Sequence, residues 1–297
     1  MLGTTTIEGE LLPKLVPDIV AGDTLVDVKQ TFSNHLINGD CVDVIRAMGD
    51  ESVDLVIADP PYFQVCGDFD FGVFKSRSEY LAWCREWLLE CKRVLKPTGS
   101  LILWGGVGEK EINIARLAIL IEDEEILIRK NWITQRNSRG YGTKRNYMSA
   151  REDFLFLTKT EKYTFNIPYT SEKSGRKDLG ANGKPRINEY KRVSNVWNDI
   201  TEASQSSIER CWHPTVKAQK LCDRIIETHS NEGDTVLVPF VGSGSEIISA
   251  INNKRDYVGI ELDPEHFQNS VERIKSMAKV EVPTLVFGGL GMGGSHV

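Results

Sequence analysis

The stretch VDLVIADPPY at residues 53–62 decides the fold. Its first six residues are a compact apolar run rich in β-branched side chains, which suits a strand buried on both faces of a parallel sheet. The run stops at Asp59-Pro60-Pro61-Tyr62. Two successive prolines neither extend a central strand nor open a helix interior, so the chain turns rigidly at the strand's carboxyl end. Downstream, Tyr80, Cys84, Trp87, Leu88, Cys91 and Leu95 recur every three or four residues, and 78–95 reads as a helix with one buried face. Pro97 and Gly99 close it, and SLILWG (100–105) is the next strand. Strand, helix and strand joined by short turns make a crossover unit and hence a parallel sheet.

The same pattern returns toward the other end. TVLVPF (235–240) is a buried strand, VGSGSE leads into a helix through Ile247, Ile248 and Ile251, and DYVGIELD (256–263) is the next strand. HPTVKAQKLCDRIIETHS (213–230) reads as a helix opening at Pro214, with Leu221, Ile225 and Ile226 on its apolar side. Order is expected to begin at HLIN (35–38), before an amphipathic stretch with Val44, Ile45 and Met48, and short strands fall within 131–159. The expected architecture is α/β, a doubly wound and mostly parallel sheet. Its expected divisions are an arm at 1–34, one half of the domain at 35–159, a polar insertion at 160–210, a second half at 211–278 and a glycine-rich flexible tail at 279–297.

Composition narrows the function classes. Hydrophobic residues at 40% and charged residues at 26% of the 297 exclude wholesale disorder and a disulfide miniprotein. No apolar run approaches the ~20 residues that cross a bilayer, and the N-terminus lacks a basic start before an apolar stretch, so a cytoplasmic protein without membrane contact is expected. The six cysteines lack paired spacing and read as reduced thiols, and no Cys/His group has metal-ligand spacing. Net charge is −6, but Arg129 to Arg192 holds sixteen Lys or Arg against six Asp or Glu. That window carries +10 and the remainder −16. A docked polyanion needs positive charge only where it touches, although a solvated, charge-rich insertion has the same composition.

Two motifs carry chemistry. Pro239-Phe240-Val241-Gly242-Ser243-Gly244 joins a strand to a helix, where glycines let backbone approach a ligand beside free N–H groups. Glu261 follows at the end of the next strand, the spacing at which a carboxylate grips a ribose diol, although a tight strand-to-helix turn with Glu261 on the surface has the same pattern. The glycines are not G-x-G-x-x-G, which favours a nucleoside over a dinucleotide. Asp59-Pro60-Pro61-Tyr62 meets the needs of methyl transfer to an exocyclic base amine. A carboxylate and a rigid carbonyl accepting the two N–H groups pull the nitrogen toward tetrahedral geometry and free its lone pair. An adjacent aromatic ring stacks on a base taken out of its helix. Aspartate, with an ordinary pKa near ~4, is a weak base and serves here mainly as an orienting acceptor.

With ADPPY at 58–62 preceding PFVGSG at 239–244, the chain resembles the permuted β group of amino-methylating DNA methyltransferases that use S-adenosylmethionine. NGDCVDVI (38–45), VLKPTGSLIL (94–103) and ERCWHPTVKAQ (209–219) extend the resemblance over roughly residues 35–275. It implies a Rossmann-like methyltransferase fold in permuted order and methylation of adenine N6 in duplex DNA after base flipping. Cytosine N4, an RNA adenine, or a non-catalytic DNA-binding relative stand as alternatives. Asp59, Pro60, Pro61 and Tyr62 would form the methyl-transfer site. Phe240, Gly242, Ser243, Gly244 and Asp59 would lie beside the cofactor, with Glu261 on its ribose, Asp40 and Cys41 near its adenine, and Thr215 and Lys217 near its carboxylate. A helix cap for Asp40 and a solvated helix position for Lys217 remain open. DNA contact would fall on Arg136, Arg139, Lys144, Arg145 and Arg151, and on Lys173, Arg176, Lys177, Lys184 and Arg186 in the insertion. Trp132 and Tyr147 read as core aromatics before stacking platforms. A homodimer is implied by the family alone. Val238, Ser245-Glu246 and Ala218 depart from the family's usual Asp, Thr-Thr and Pro.

Overall fold

The computed structural model describes residues 5–7, 10–12, 32–64, 74–107, 111–142, 144–173, 189–203, 209–213, 215–278 and 282–286. Strands β1 (Thr5–Ile7) and β2 (Glu10–Leu12) pair as a small antiparallel hairpin. The main sheet is built from β3 (His35–Asn38), β4 (Val53–Ala58), β5 (Leu95–Trp104), β6 (Ile128–Tyr141), β7 (Ser149–Thr158), β10 (Val196–Trp197), β11 (Thr235–Val238), β12 (Asp256–Glu261) and β13 (Thr284–Val286). Its order is β10-β6-β7-β5-β4-β11-β12-β3-β13, and among the described residues only β7 runs antiparallel to its neighbours. Strands β8 (Tyr169–Lys173) and β9 (Tyr190–Arg192) form a separate antiparallel pair.

Period-two alternation splits the strand residues between two cores. Val56, Ala58, Leu101, Leu103, Leu155 and Leu157 face one side, packed against α1 (Cys41–Arg46), α2 (Arg77–Val94) and α3 (Asn113–Asp123). Leu55, Ile57, Ile102, Trp104, Phe154 and Phe156 face the other, packed with α4 (Gln219–His229), α5 (Ser245–Asn252) and α6 (Pro264–Ala278). Burial on both faces is why these strands read as continuous apolar runs. The chain leaves β4 toward β5 through α2 on one face, and leaves β11 toward β12 through α5 on the other. The adjacent carboxyl ends of β4 and β11 are therefore a topological switch point, the place where open α/β sheets bind ligands.

Several expectations are corrected. Order begins before His35: Phe32 is buried, and Asn34 donates to Asp256 at 3.0 Å. The 160–210 stretch is not a single polar insertion, since Trp197, Ile200 and Ala203 are buried and β10 extends the main sheet beside β6. Strand β5 starts at Leu95 rather than Ser100, because the chain leaves α2 extended at Leu95. The tail contributes β13, paired with β3, and a buried Val282. Pro214 lies outside the described residues, and α4 opens later, at Gln219.

Gly105 ends β5 directly against α3. A Cβ there would stand 2.6 Å from the Ile114 Cα and 2.8 Å from its backbone nitrogen, so the helix would have to move. Gly105→Ala is expected to cost about 1–3 kcal/mol in denaturant unfolding, against little change for Gly49→Ala, where a Cβ meets open space.

Candidate active site at the sheet's switch point

Strand β4 delivers Asp59 to the carboxyl edge of the sheet, where its carboxylate is 16% exposed. One oxygen accepts from the Tyr62 hydroxyl. The other lies 3.0 Å from Lys217 Nζ. The loop beyond Tyr62 is anchored by α3, whose Asn113 Nδ2 donates to the Phe63 carbonyl at 3.0 Å, and the Phe63 ring stacks on Tyr80 of α2.

Lys217 is not a solvated helix lysine. It precedes α4, is only 7% exposed, and sits between two carboxylates: Asp59 and Glu152 of β7, the latter at 2.9 Å. Its ammonium also lies 5.2 Å from the centre of the Trp104 ring. Burial disfavours the charge, but the two carboxylates outweigh it and hold the ammonium above the usual lysine range. Glu152 carried no recognisable signal, because an acidic residue beside Arg151 on a strand reads as a solvated position.

The glycine loop lies next door, at the end of β11. Gly242 and Gly244 adopt φ of +49° and +78°, and a Cβ on Gly242 would press to 3.0 Å from His213 Nε2. The Glu261 carboxylate closes the loop, accepting from Gly242 N–H at 2.9 Å and Asp263 N–H at 3.1 Å. Burial raises its pKa above the ordinary range. Burial, with His266 adding, also pushes the His213 imidazole down to about 4, so a neutral ring faces the loop at pH 7. Trp212, His213 and His266 cluster there, with ring centres 4.8 to 5.8 Å apart. Phe240 packs on Trp83 and Trp87 of α2. Ser243 and Ser245 hydroxyls meet at 3.2 Å, and Arg273 donates to the Ser243 carbonyl at 2.6 Å. Glu246, in the first turn of α5, is buried, and desolvation raises its carboxyl to about 7.

The remaining candidates are more scattered. Asp40 caps α1, accepting from Val42 and Asp43 N–H at 2.8 and 3.3 Å, and Cys41 is buried behind it. Thr215 is exposed beside His213 at 3.3 Å. Among the described residues, no His/Cys/Asp/Glu group has the arrangement of a metal site, and no helix is long and apolar enough to cross a membrane.

Half of the basic candidates lie on one arm. Phe154 of β7 is level with Trp104, the last residue of β5, and β7 begins five residues earlier, at Ser149. The β6–β7 hairpin therefore projects roughly 16 Å past the carboxyl edge, at ~3.3 Å per residue. Arg136, Lys144, Arg145 and Arg151 are exposed on it. Its tip presents Tyr147 and Met148, 95% and 70% exposed, so Tyr147 is no core residue. A turn between two strands has no sheet face to bury it. Trp132 is partly buried. The side chain of Arg139 lies outside the described residues, as do Arg176, Lys177, Lys184 and Arg186. Lys173 is exposed, 3.8 Å from Glu189.

Comparison with known proteins agrees with this geometry. A family model described as DNA methylase matches residues 53–272. The Type II methyltransferase M.HpaI of Haemophilus parainfluenzae is 32% identical over 254 residues, covering 82% of this chain and 75% of the relative. The DNA adenine methyltransferase YhdJ of Escherichia coli (strain K12) is 32% identical over 248 residues, covering 80% of this chain and 82% of the relative. The crystal structure of TTHA0409 from Thermus thermophilus, complexed with S-adenosyl-L-methionine, superposes with a TM-score of 0.60 at 22% identity, covering 89% of this chain and all of that one.

Proposed function

Because the chain belongs to the N6/N4 DNA methylase family, we propose that it transfers a methyl group from S-adenosylmethionine to adenine N6 in duplex DNA, using Asp59 as the acceptor that orients the amine. The observation that carries this reading is the meeting of the Asp59 loop and the glycine loop at the ends of adjacent strands, β4 and β11.

The residues present fit the cofactor. Gly242 and Gly244 take the left-handed backbone that turns the loop at the end of β11, and Glu261 offers a carboxylate suited to a diol at the end of β12. Ser243, Phe240 and Thr215 border the same loop, and Asp40 and Cys41 stand at the end of β3, two strands along. When bound, S-adenosylmethionine supplies an electrophilic methyl group, and its sulfur keeps the electrons of the bond that breaks. The protein's own task is orientation. Asp59 accepts one N6–H and the Pro60 carbonyl the other, Pro61 fixes the turn, and Tyr62 stacks on the flipped base. The displaced proton leaves to water. YhdJ, named as an adenine methyltransferase, supports adenine over cytosine.

In this reading the arm tracks phosphates through Arg136, Arg139, Lys144 and Arg145, with Lys173, Arg176 and Lys177 on the 160–210 side, and the enzyme works as a homodimer. Calorimetry with S-adenosylmethionine tests the reading. Saturable binding is expected, and no heat at millimolar cofactor would overturn it. Replacing Arg136, Lys144 and Arg145 together with alanine is expected to reduce the salt dependence of DNA affinity by about 2–3 in log–log slope, at ~0.9 per phosphate contact. An unchanged slope would move the DNA path elsewhere.

A further inference from the structure

Burying an ammonium is costly unless charged partners meet it. At Lys217 the partners come from two separate elements: the Asp59 loop after β4 and Glu152 on β7, where the arm leaves the sheet. Glu152 pairs across the ladder with Gln135 of β6, at the arm's base. One positive charge shared by two carboxylates leaves the cluster net negative. Asp59 is thus gripped through one oxygen without its charge being cancelled.

We propose that Lys217 is a positioning residue for methyl transfer. It clamps Oδ2 of Asp59 so that Oδ1 faces the incoming amine, and Glu152 holds the clamp in register with the arm. Oδ1 is the oxygen that the Tyr62 hydroxyl occupies, so the amine replaces one donor with another as the tyrosine ring turns to the base. The inference rests on the proposed methyl-transfer reading and departs from it at one residue, because it moves Lys217 from the cofactor's carboxylate to the catalytic aspartate.

The test compares wild type with Lys217→Met, Lys217→Arg and Glu152→Gln. Cofactor affinity is read by calorimetry, DNA affinity by titration, and kcat by transfer of labelled methyl to mixed-sequence duplex DNA. Lys217→Met is expected to lower kcat about a hundredfold, with cofactor affinity within about threefold of wild type, since a hydrogen bond to a charged group commonly decides one to two decades. Lys217→Arg is expected to recover at least tenfold of that loss, which a purely structural filler would not do. Glu152→Gln, on a partly exposed side chain that tolerates change, is expected to lower kcat about tenfold at unchanged DNA affinity. Cofactor affinity weakened tenfold or more in Lys217→Met, with kcat preserved at saturation, would overturn the proposal in favour of a cofactor ligand. If Lys217→Met does not fold, undiminished kcat in Glu152→Gln overturns it. A wild type that transfers no methyl overturns the parent reading instead, and this one with it.

Discussion

Asp59→Ala is expected to slow methyl transfer about a thousandfold while cofactor and DNA affinities stay within about tenfold of wild type. The size follows from the aspartate's work. An amine whose lone pair is delocalised into the ring must be reoriented before it attacks, and removing a preorganised partner of that kind costs about two to four decades. The variant should fold, because Asp59 is partly exposed and the Lys217 ammonium it abandons keeps Glu152 at 2.9 Å. Asp59→Asn should fall nearly as far, since one of its two atoms is then a donor facing a donor. Single-turnover transfer of labelled methyl checks both. An Asp59→Ala rate within tenfold of wild type would remove the aspartate from the mechanism.

Glu246→Gln is expected to stabilise the protein at pH 8 and to change nothing at pH 4. Burial raises the Glu246 carboxyl to about 7, and nearby Asp59 adds to the shift while Lys217 and Arg273 oppose it. Between the ordinary carboxyl value and 7, the unfolded chain releases a proton that the folded chain still holds. Stability from this group is therefore complete below about pH 4.5 and is lost as pH rises through 7. A neutral glutamine avoids the loss, a gain of about 1–3 kcal/mol at pH 8. Denaturant unfolding at the two pH values reads the difference directly. An equal shift at both would mean that packing, not ionisation, separates the two side chains.

How much was legible in the sequence follows from where each residue's energy comes from. Strands β4, β5, β11 and β12 were readable because both their faces are buried, which writes an unbroken apolar run into the chain. Helix α2 was readable because only one face is, which writes a 3.6-residue period at Tyr80, Cys84, Trp87, Leu88 and Cys91. Strands β10 and β13 were hidden: two and three residues are too short to carry a pattern, and their pairing with β6 and β3 is settled by tertiary contact. The paired motifs announced the site, since Asp-Pro-Pro-Tyr and the glycine loop are local devices. Lys217 and Glu152 did not. They lie far apart in sequence, and only the fold brings the ammonium between two carboxylates. At Asp40 the helix-cap reading of the sequence is what the fold shows, through one carboxylate oxygen.

Labelled methyl transfer from S-adenosylmethionine to mixed-sequence duplex DNA, followed by digestion and separation of the nucleosides, tests the central claim most directly. Label in N6-methyladenine with wild-type protein is the expected result. Label in cytosine would contradict the choice of base, and no label in DNA despite cofactor and DNA binding would contradict the enzyme itself.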